Sequence, residues 1–266
     1  MGSVFFSIVS HNHLAVLKSM NCVGALANKY NVVLKNNVQS ESEALKEYCK
    51  EHHIHLVDHL YGNGFGANNN IVYSYCCEHL NMGDDDVFIV LNPDVKIDNN
   101  SVEQLVSTMF ERKIRVASIS LYKDADYNTR DYSVRHFPQL YSFVSSFLGF
   151  ANKTFIRSAT DQITTVDWAA GSFLAFNAGH YRKLRGFDER YFMYCEDIDI
   201  CYRSYKMGYP MQYVPYICAI HLAKHQNRKV FSKHFYWHAK SAFRFLLSKH
   251  FNTRIKSTIG NSLSSI

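Results

Sequence analysis

The sequence has no Cys-x-x-Cys spacing among its seven cysteines and no long apolar run. The odd number of cysteines and their spacing argue against a disulfide framework and a zinc site, and they favour a reducing, cytoplasmic compartment. No basic stretch precedes the first apolar segment, so we expect no signal peptide. No apolar segment reaches the ~18 residues that a membrane-spanning helix needs, so we expect no integral anchor of that kind.

Acidic residues are absent after Asp199. Residues 200–266 contain eleven lysines and arginines, whereas the preceding part contains 18 basic and 23 acidic residues. Such a basic segment attracts an anionic partner, which could be nucleic acid, a diphosphate or an anionic lipid leaflet. Within it, residues 228–251 combine an apolar helical stripe with a basic face. This pattern fits a helix at a membrane surface and, equally, a terminal helix packed on the domain.

The remaining chain is expected to form one large domain. Hydrophobic residues make up 47% of the sequence, enough for a substantial core. Strands are predicted at 4–10, 32–34 and 54–57, and helices at 14–26 and 42–52. This alternation predicts an α/β fold with a parallel sheet. We therefore divide the chain into a domain at 1–222 and a basic aromatic helical tail at 223–266.

A strongly apolar strand is predicted immediately before Asn92-Pro93-Asp94. Pro93 cannot continue a ladder, so Asp94 should lie just past the carboxyl end of a central strand. Ligands bind at that edge of open α/β sheets, and a carboxylate there can hold a divalent metal against phosphate oxygens. The alternative is an ordinary turn aspartate. The acidic run 84–86 precedes the strand and is interpreted as solvated surface.

Two further segments have both a functional and a structural interpretation. The glycine- and asparagine-rich segment 62–70 suits a loop that approaches a nucleotide closely, but it could be an ordinary strand-to-helix loop and is not a Walker loop. Trp168, beside small residues, could stack on a sugar ring or lie in the core. The polar segment 124–135 is predicted to be mobile. The aromatic segment 137–150 is interpreted as core packing or as a flap over a greasy substrate.

Three carboxylates crowd the predicted start of a helix at Glu196, Asp197 and Asp199. Acids are favoured in the first turn of any helix, so the cluster could be structural only. A carboxylate among other acids and aromatic residues can instead act as a general base with a raised pKa. Glu196 and Asp199 share a face of the helix, and Asp197 points elsewhere. His221 ends a later apolar segment.

In order and spacing these motifs resemble the inverting GT-A glycosyltransferases of family 2, and most of all bacterial rhamnosyltransferases of O-antigen and cell-wall polysaccharide assembly. The resemblance runs from Val4 to His221 and rests on these segments: Val9-Ser10-His11-Asn12, Gly64-Phe65-Gly66 with Asn70, Leu91-Asn92-Pro93-Asp94, Asp167-Trp168 with Gly171-Ser172-Phe173, and Gly186-Phe187-Asp188 through Glu196-Asp197-Ile198-Asp199 to Arg203. It implies a Rossmann-like GT-A fold, with a mixed, mostly parallel sheet flanked by helices and a C-terminal amphipathic helical extension.

The resemblance also implies roles for individual residues. Asp94 and His221 would bind Mg²⁺ or Mn²⁺, and Asp197, beside Glu196, would be the catalytic base. Donor-nucleotide contacts are implied for Ser10, Asn12, Asn37, Gly64, Phe65, Asn70, Asn92 and Asp94. Acceptor or sugar contacts are implied for Asp167, Trp168, Gly171 and Arg203. Two positions depart from the family pattern: Asn92 replaces the first aspartate of its Asp-x-Asp metal motif, and Asn36 stands where an aspartate usually precedes Asn37.

The expected activity is inverting transfer of L-rhamnose from dTDP-L-rhamnose to a polyprenyl-diphosphate-linked N-acetylglucosamine, in O-antigen and hence lipopolysaccharide biosynthesis. The protein would lie peripherally on the inner face of the bacterial inner membrane, with its tail on anionic lipid. One alternative is a GT-A transferase with a UDP-hexose donor and another acceptor. A second is a non-enzymatic nucleic-acid-binding protein. It leaves Asp94 and the acidic cluster without a purpose, so we expect no nucleic-acid partner.

Overall fold

The computed structural model describes residues 2–139, 162–222, 233–251 and 253–260. The strands are β1 Val4–Ser10, β2 Asn31–Asn36, β3 His55–Val57, β4 Val87–Leu91, β5 Val95–Lys96, β6 Val116–Tyr122, β7 Arg130–Asp131, β8 Val134–Arg135, β9 Thr164–Val166, β10 Trp168–Ala169, β11 Phe173–Asn177 and β12 Met211–His221. The α-helices are α1 Leu14–Met20, α2 Cys22–Ala27, α3 Ser42–Glu51, α4 Phe65–His79, α5 Asn99–Glu111, α6 Ala178–Lys183, α7 Glu196–Lys206 and α8 Lys233–His250.

The main sheet is mixed, as expected from the resemblance. Its order is β3-β2-β1-β4-β11-β6-β12-β5, with β7 added beside β6 and β9 beside β12. The pairs among β1 to β4 are parallel, as is β6 with β12, and β11 is antiparallel to both of its neighbours. A separate two-stranded ladder joins β10 to β8. The parallel pairs bring the carboxyl ends of β1, β2 and β4 to one edge.

Two apolar cores cover the two faces of this sheet. The central strand β4 shows why, since Val87, Ile89 and Leu91 contribute to one core, and Phe88 and Val90 contribute to the other. Successive side chains of a strand point to opposite faces, and a strand covered on both faces is apolar at every position. All five residues of β4 are buried. The strand therefore holds the following Asn92-Pro93-Asp94 turn on a rigid support.

The structure corrects two local expectations. The single helix predicted at 14–26 is two helices, because Asn21 between them has a left-handed backbone with φ 45°. The segment 124–135, predicted to be mobile, carries β7 and β8, which pair with β6 and β10. Of the aromatic segment 137–150, residues 140–150 lie outside the described residues. Phe137 itself packs edge-on against Tyr202, as the core interpretation expects.

The described part of the C-terminal tail packs on the domain. Helix α8 buries Ala242 and Phe245 in the second apolar core, and the Ser241 hydroxyl donates to the Met193 carbonyl at 2.9 Å. Farther on, the Lys256 carbonyl accepts from the Glu189 amide at 2.8 Å. The first residues predicted for this helix, 228–232, lie outside the described residues. The division at 222 and 223 stays a prediction.

Candidate active site

Asp94 and His221 meet at one end of the sheet. Pro93 ends the run of β4, and the Asn92 amide donates to the Ser172 carbonyl at 3.0 Å, which fixes the turn. Strand β12 pairs antiparallel with β5, with His221 opposite Val95. As a result, His221 Nε2 lies 3.4 Å from Asp94 Oδ1. The sequence places these residues 127 positions apart, and sheet pairing brings them together as predicted.

A third side chain, Asp131, completes this group. Its Oδ2 lies 2.6 Å from His221 Nδ1, so each ring nitrogen of His221 faces a carboxylate. Burial lowers the pKa of His221, but the hydrogen bonds to Asp131 and Asp94 outweigh it and raise the pKa to about 9. Asp131 comes from the segment predicted to be mobile, and no local motif marks it.

Asp94 and His221 would offer two ligands to a divalent metal. Among the described residues, no group of three or more His, Cys, Asp or Glu side chains is arranged to hold a metal ion. Mg²⁺ commonly binds through one or two carboxylates together with substrate phosphates and waters. A carboxylate next to an imidazole nitrogen fits that arrangement, provided that a diphosphate supplies further oxygens.

Asp197 lies at the start of α7, facing the turn between β10 and β11. The Gly171 amide donates to its Oδ2 at 3.1 Å, and the Ile198 amide donates to its Oδ1 at 2.9 Å. Burial raises the pKa of Asp197, although these two amides and the charge of Arg135 act in the opposite direction. Tyr194 and Cys195, just before the helix, both have left-handed backbones, with φ 70° and 63°.

Glu196 and Asp199 differ from Asp197 in their surroundings. Glu196 is buried, and its Oε2 has no hydrogen-bond partner among the described residues. Burial raises the pKa of Glu196 well above its usual range, and the neighbouring Asp197 charge adds to the effect. Asp199 instead bonds Arg203 at 2.7 Å. Asp197 is therefore the carboxylate of this cluster that faces the turn at Gly171, as the helical spacing predicts.

The turn between β10 and β11 connects Asp197 to the Asn92-Pro93-Asp94 turn. Gly171 contacts Asp197, and its neighbour Ser172 bonds Asn92. A Cβ at Gly171 would lie 3.0 Å from the Phe65 ring, so the turn also borders the glycine-rich loop. A side chain at position 171 would therefore require the Phe65 ring to move by a few tenths of an ångström. Together these contacts bring the Asn92-Pro93-Asp94 turn, the acidic helix start and the glycine-rich loop to one site.

Several predicted donor contacts lie at the carboxyl ends of β1 and β2. Asn12 is exposed and Ser10 is buried. The Asn37 side chain donates from Nδ2 to the Asn63 carbonyl and accepts at Oδ1 from the Asn63 backbone amide, both at 3.0 Å. Phe65 is anchored by a bond from its amide to the Phe192 carbonyl at 3.1 Å. The contacts of these residues with a nucleotide stay predictions.

Asn36 replaces the aspartate that the resemblance expects, yet a carboxylate is present beside it. The Asn36 amide donates to Asp58 Oδ1 at 2.9 Å, and the hydroxyls of Ser42 and Tyr61 donate to the same oxygen. Burial raises the pKa of Asp58, but these hydrogen bonds outweigh it and hold the pKa below its ordinary value. The Asp58 carboxylate, which directly follows β3, therefore lies beside Asn36, the position at the end of β2 where the resemblance expects an aspartate.

Two predicted site residues are placed in structural networks instead. The Asn70 side chain is fully buried: its amide donates to the Phe187 carbonyl at 2.9 Å, and its oxygen accepts from the Tyr181 hydroxyl at 2.8 Å. Arg203 bonds the Leu184 and Gly186 carbonyls as well as Asp199. Both side chains tie α4 and α7 to the Gly186 turn. The structure gives no support to the ligand contacts predicted for them.

Trp168 is mostly a core residue. It is 7% exposed, its Nε1 donates to the His136 carbonyl at 2.9 Å, and the Arg135 guanidinium lies 5.3 Å from the centre of its ring. Asp167 accepts from the Phe137 amide at 2.7 Å. The core interpretation of Trp168 is thus favoured over stacking on a sugar. The charge of Arg135, which lies over the Trp168 ring, also acts on Asp197 by lowering its pKa.

The chain is 38% identical over 250 residues to the rhamnosyltransferase WbbL of Escherichia coli (strain K12), covering 92% of this chain and 93% of that protein. The chain belongs to the rhamnosyltransferases of glycosyltransferase family 2. A second member of the family, the N-acetylglucosaminyl-diphospho-decaprenol L-rhamnosyltransferase of Mycobacterium tuberculosis (strain H37Rv), is 32% identical over 174 residues. That match covers 62% of this chain and 56% of the mycobacterial rhamnosyltransferase.

Solved structures confirm the GT-A fold of this rhamnosyltransferase. The S. aureus TarS 1–349 structure in complex with UDP-GlcNAc superposes with a TM-score of 0.57 at 10% identity, covering 96% of this chain and 68% of that one. No protein-family model matches the sequence. In the described part of the chain, no helix is long and apolar enough to cross a membrane. All seven cysteines are free thiols.

Proposed function

We propose that this rhamnosyltransferase transfers L-rhamnose from dTDP-L-rhamnose to a polyprenyl-diphosphate-linked N-acetylglucosamine in O-antigen and lipopolysaccharide biosynthesis, on the inner face of the inner membrane. The mycobacterial relative, whose name specifies an N-acetylglucosaminyl-diphospho-decaprenol acceptor, supports this acceptor class. The observation that carries the proposal is the position of Asp197, held by the Gly171 amide next to the turn that bonds the metal motif.

In the proposed mechanism, Asp197 removes the proton from the acceptor hydroxyl as that oxygen attacks the anomeric carbon. The bond to the nucleoside diphosphate breaks in the same displacement, so the configuration inverts and no covalent enzyme intermediate forms. The Gly171 and Ile198 amides hold both carboxylate oxygens of Asp197 in place. A divalent metal held by Asp94 and His221 would supply Lewis-acid stabilisation of the departing diphosphate.

A donor panel tests the specificity of this reaction. With a synthetic polyprenyl-diphosphate-linked N-acetylglucosamine, we expect nucleoside diphosphate release to be ~10-fold or more faster with dTDP-L-rhamnose than with UDP-hexoses, since pocket contacts discriminate sugars on this scale. NMR of the product should show the anomeric configuration opposite to that of the donor. A preference for a UDP-hexose would support the alternative that the complex of TarS with UDP-GlcNAc suggests, and release without any acceptor controls for hydrolysis.

A second part of the proposal concerns α8, whose outer face carries exposed apolar side chains. Tyr236, Phe243 and Leu247 are 62%, 66% and 38% exposed, and their spacing places them on one side of the helix. Phe251, which directly follows the helix, is 66% exposed. The opposite side is the one buried by Ala242 and Phe245. Helix α8 contains lysine and arginine but no acidic residue. An exposed aromatic stripe among basic residues suits the surface of an anionic phospholipid bilayer.

This surface would lie close to the catalytic helix. The Trp237 and Phe192 rings are 4.8 Å apart, and the Tyr194 hydroxyl lies 3.1 Å from His234 Nδ1. Residues 192–194 lead directly into Glu196 and Asp197. A bilayer beneath α8 would therefore bring a lipid-linked acceptor near the general base.

Vesicle flotation tests this surface. We expect the Phe243→Ser, Phe251→Ser double variant to bind phosphatidylglycerol-containing vesicles ~10-fold or more weakly than the wild type, because two aromatic rings no longer enter the interface. Tyr205→Ser, which removes a 54% exposed aromatic residue from α7, is the matched control and should bind normally. Equal flotation of the double variant and the wild type would overturn the membrane role. So would self-association of the wild type that the double variant abolishes, since the stripe would then be covered by a second copy.

A further inference from the structure

His221 is held between two carboxylates that come from different parts of the fold. Its Nε2 lies 3.4 Å from Asp94 Oδ1, and its Nδ1 lies 2.6 Å from Asp131 Oδ2. Asp131 is paired backbone to backbone with Leu121 at the β6–β7 edge, and its side chain is 19% exposed. A short contact of this kind, on a mostly buried carboxylate, restricts how the ring can rotate.

We propose that Asp131 is a positioning residue that fixes the ring orientation of His221, so that Nε2 faces Asp94 and is the nitrogen available to a metal. This inference rests on the proposed role of Asp94 and His221 in holding a divalent metal. When an imidazole binds a metal through one nitrogen, the other nitrogen keeps its N–H, and the acceptor of that N–H decides which nitrogen is the ligand. Asp131 accepts from Nδ1–H and thereby leaves Nε2 as the ligand atom. Carboxylates in this position typically improve metal affinity 10- to 100-fold.

The β6–β7 hairpin has anchors that do not involve the Asp131 carboxylate. The Lys123 amide bonds the Thr129 carbonyl at 2.8 Å, and Asp124 accepts from the Asn128 and Thr129 amides. The Arg130 guanidinium lies 5.9 Å from the centre of the Tyr122 ring. The hairpin should therefore keep its fold when the Asp131 side chain is replaced. If the Asp131 side chain only stabilised the fold, its replacement would disturb the hairpin and would have no specific effect on the bond between the metal and the His221 imidazole.

Manganese binding to the full chain tests the inference without reference to activity. Free Mn²⁺ is measured by EPR in the presence of dTDP, and the nitrogen coupling of bound Mn²⁺ is measured by pulsed EPR. We expect Asp131→Ala to weaken Mn²⁺ binding ~10- to 100-fold and to reduce the imidazole coupling. Asp131→Asn should lie in between, because its amide oxygen still accepts from Nδ1–H. Asp126→Ala removes the same charge from an exposed position of the same hairpin and should bind Mn²⁺ like the wild type.

The outcomes separate this inference from the proposed function. If the wild type binds Mn²⁺ with a nitrogen coupling that His221→Ala removes, yet Asp131→Ala matches the wild type, then Asp131 is not a positioning residue. If Asp126→Ala weakens binding as much as Asp131→Ala does, the effect is one of charge alone, and the inference is also overturned. If the wild type itself binds no Mn²⁺ with dTDP, the metal role of Asp94 and His221 fails and this inference fails with it. Circular dichroism establishes that each variant is folded.

Discussion

Asp197→Asn is expected to lower kcat by ~10² or more, the usual scale for loss of a general base. The amide has nearly the same shape and its oxygen can still accept one of the bonds from the Gly171 and Ile198 amides. It cannot accept a proton from the acceptor hydroxyl. The variant should therefore bind donor normally while turnover is lost. Initial rates of nucleoside diphosphate release, together with donor affinity from calorimetry, separate these two quantities.

The pH dependence of the wild type gives a second measure of the same group. A base acts only when it is deprotonated, so the rate should fall as the pH drops through the pKa of Asp197. Burial raises that pKa, so the fall should begin at a higher pH than an ordinary aspartate would give. Asp85→Asn makes the same chemical change at an exposed residue before β4 and should leave both rate and profile unchanged. Near-normal turnover of Asp197→Asn would remove the assignment.

The sequence predicts much of the fold because its strands have a strong local signal. Strand β4 is apolar at each position and lies between the two cores, and a proline defines where it ends. The helix break at Asn21 was missed, because the apolar spacing continues across it while the backbone turns left-handed at one residue. A periodic pattern reports the buried face of a segment and is insensitive to a single residue between two helices.

Asp94, His221 and Asp197 can be placed in one candidate site from the sequence because motif order and spacing carry information about where strands and helices end. Asp131 cannot be placed in this way, because it reaches His221 from 90 residues away only through the pairing of β7 with β6. A two-residue strand in a polar segment has no periodicity to detect. Asn70 is a case of the opposite kind. A polar residue in a glycine-rich segment suggests a ligand contact, but the Asn70 side chain lies on the buried side of α4. Its burial becomes visible only in the structure, where α4 packs with Asn70 facing residues 187–189.

Asp94→Ala is expected to abolish the metal dependence of nucleotide binding. In the wild type, Mg²⁺ or Mn²⁺ should tighten the binding of dTDP, because a cation bound by Asp94 and His221 would also bind the diphosphate oxygens. In the variant, the ratio of the dissociation constants with EDTA and with metal should fall to about one, since a single imidazole is a poor site for either cation. Calorimetric titrations with dTDP, and with UDP in parallel, measure this ratio whichever nucleotide the donor carries.

The structure makes this test sharper than the sequence alone does. We expect His221 to keep its 2.6 Å contact with Asp131 in this variant. The backbone at position 94 should also stay in place, because its carbonyl accepts from the Leu222 amide at 3.1 Å. If nucleotide binding by Asp94→Ala no longer depends on metal, the cause is therefore the missing carboxylate and not a movement of β5. Asp85→Ala, an equal loss of charge at an exposed position, should retain the wild-type ratio. An unchanged ratio in Asp94→Ala would assign the metal to other ligands and would leave Asp94 as the turn aspartate that follows a proline.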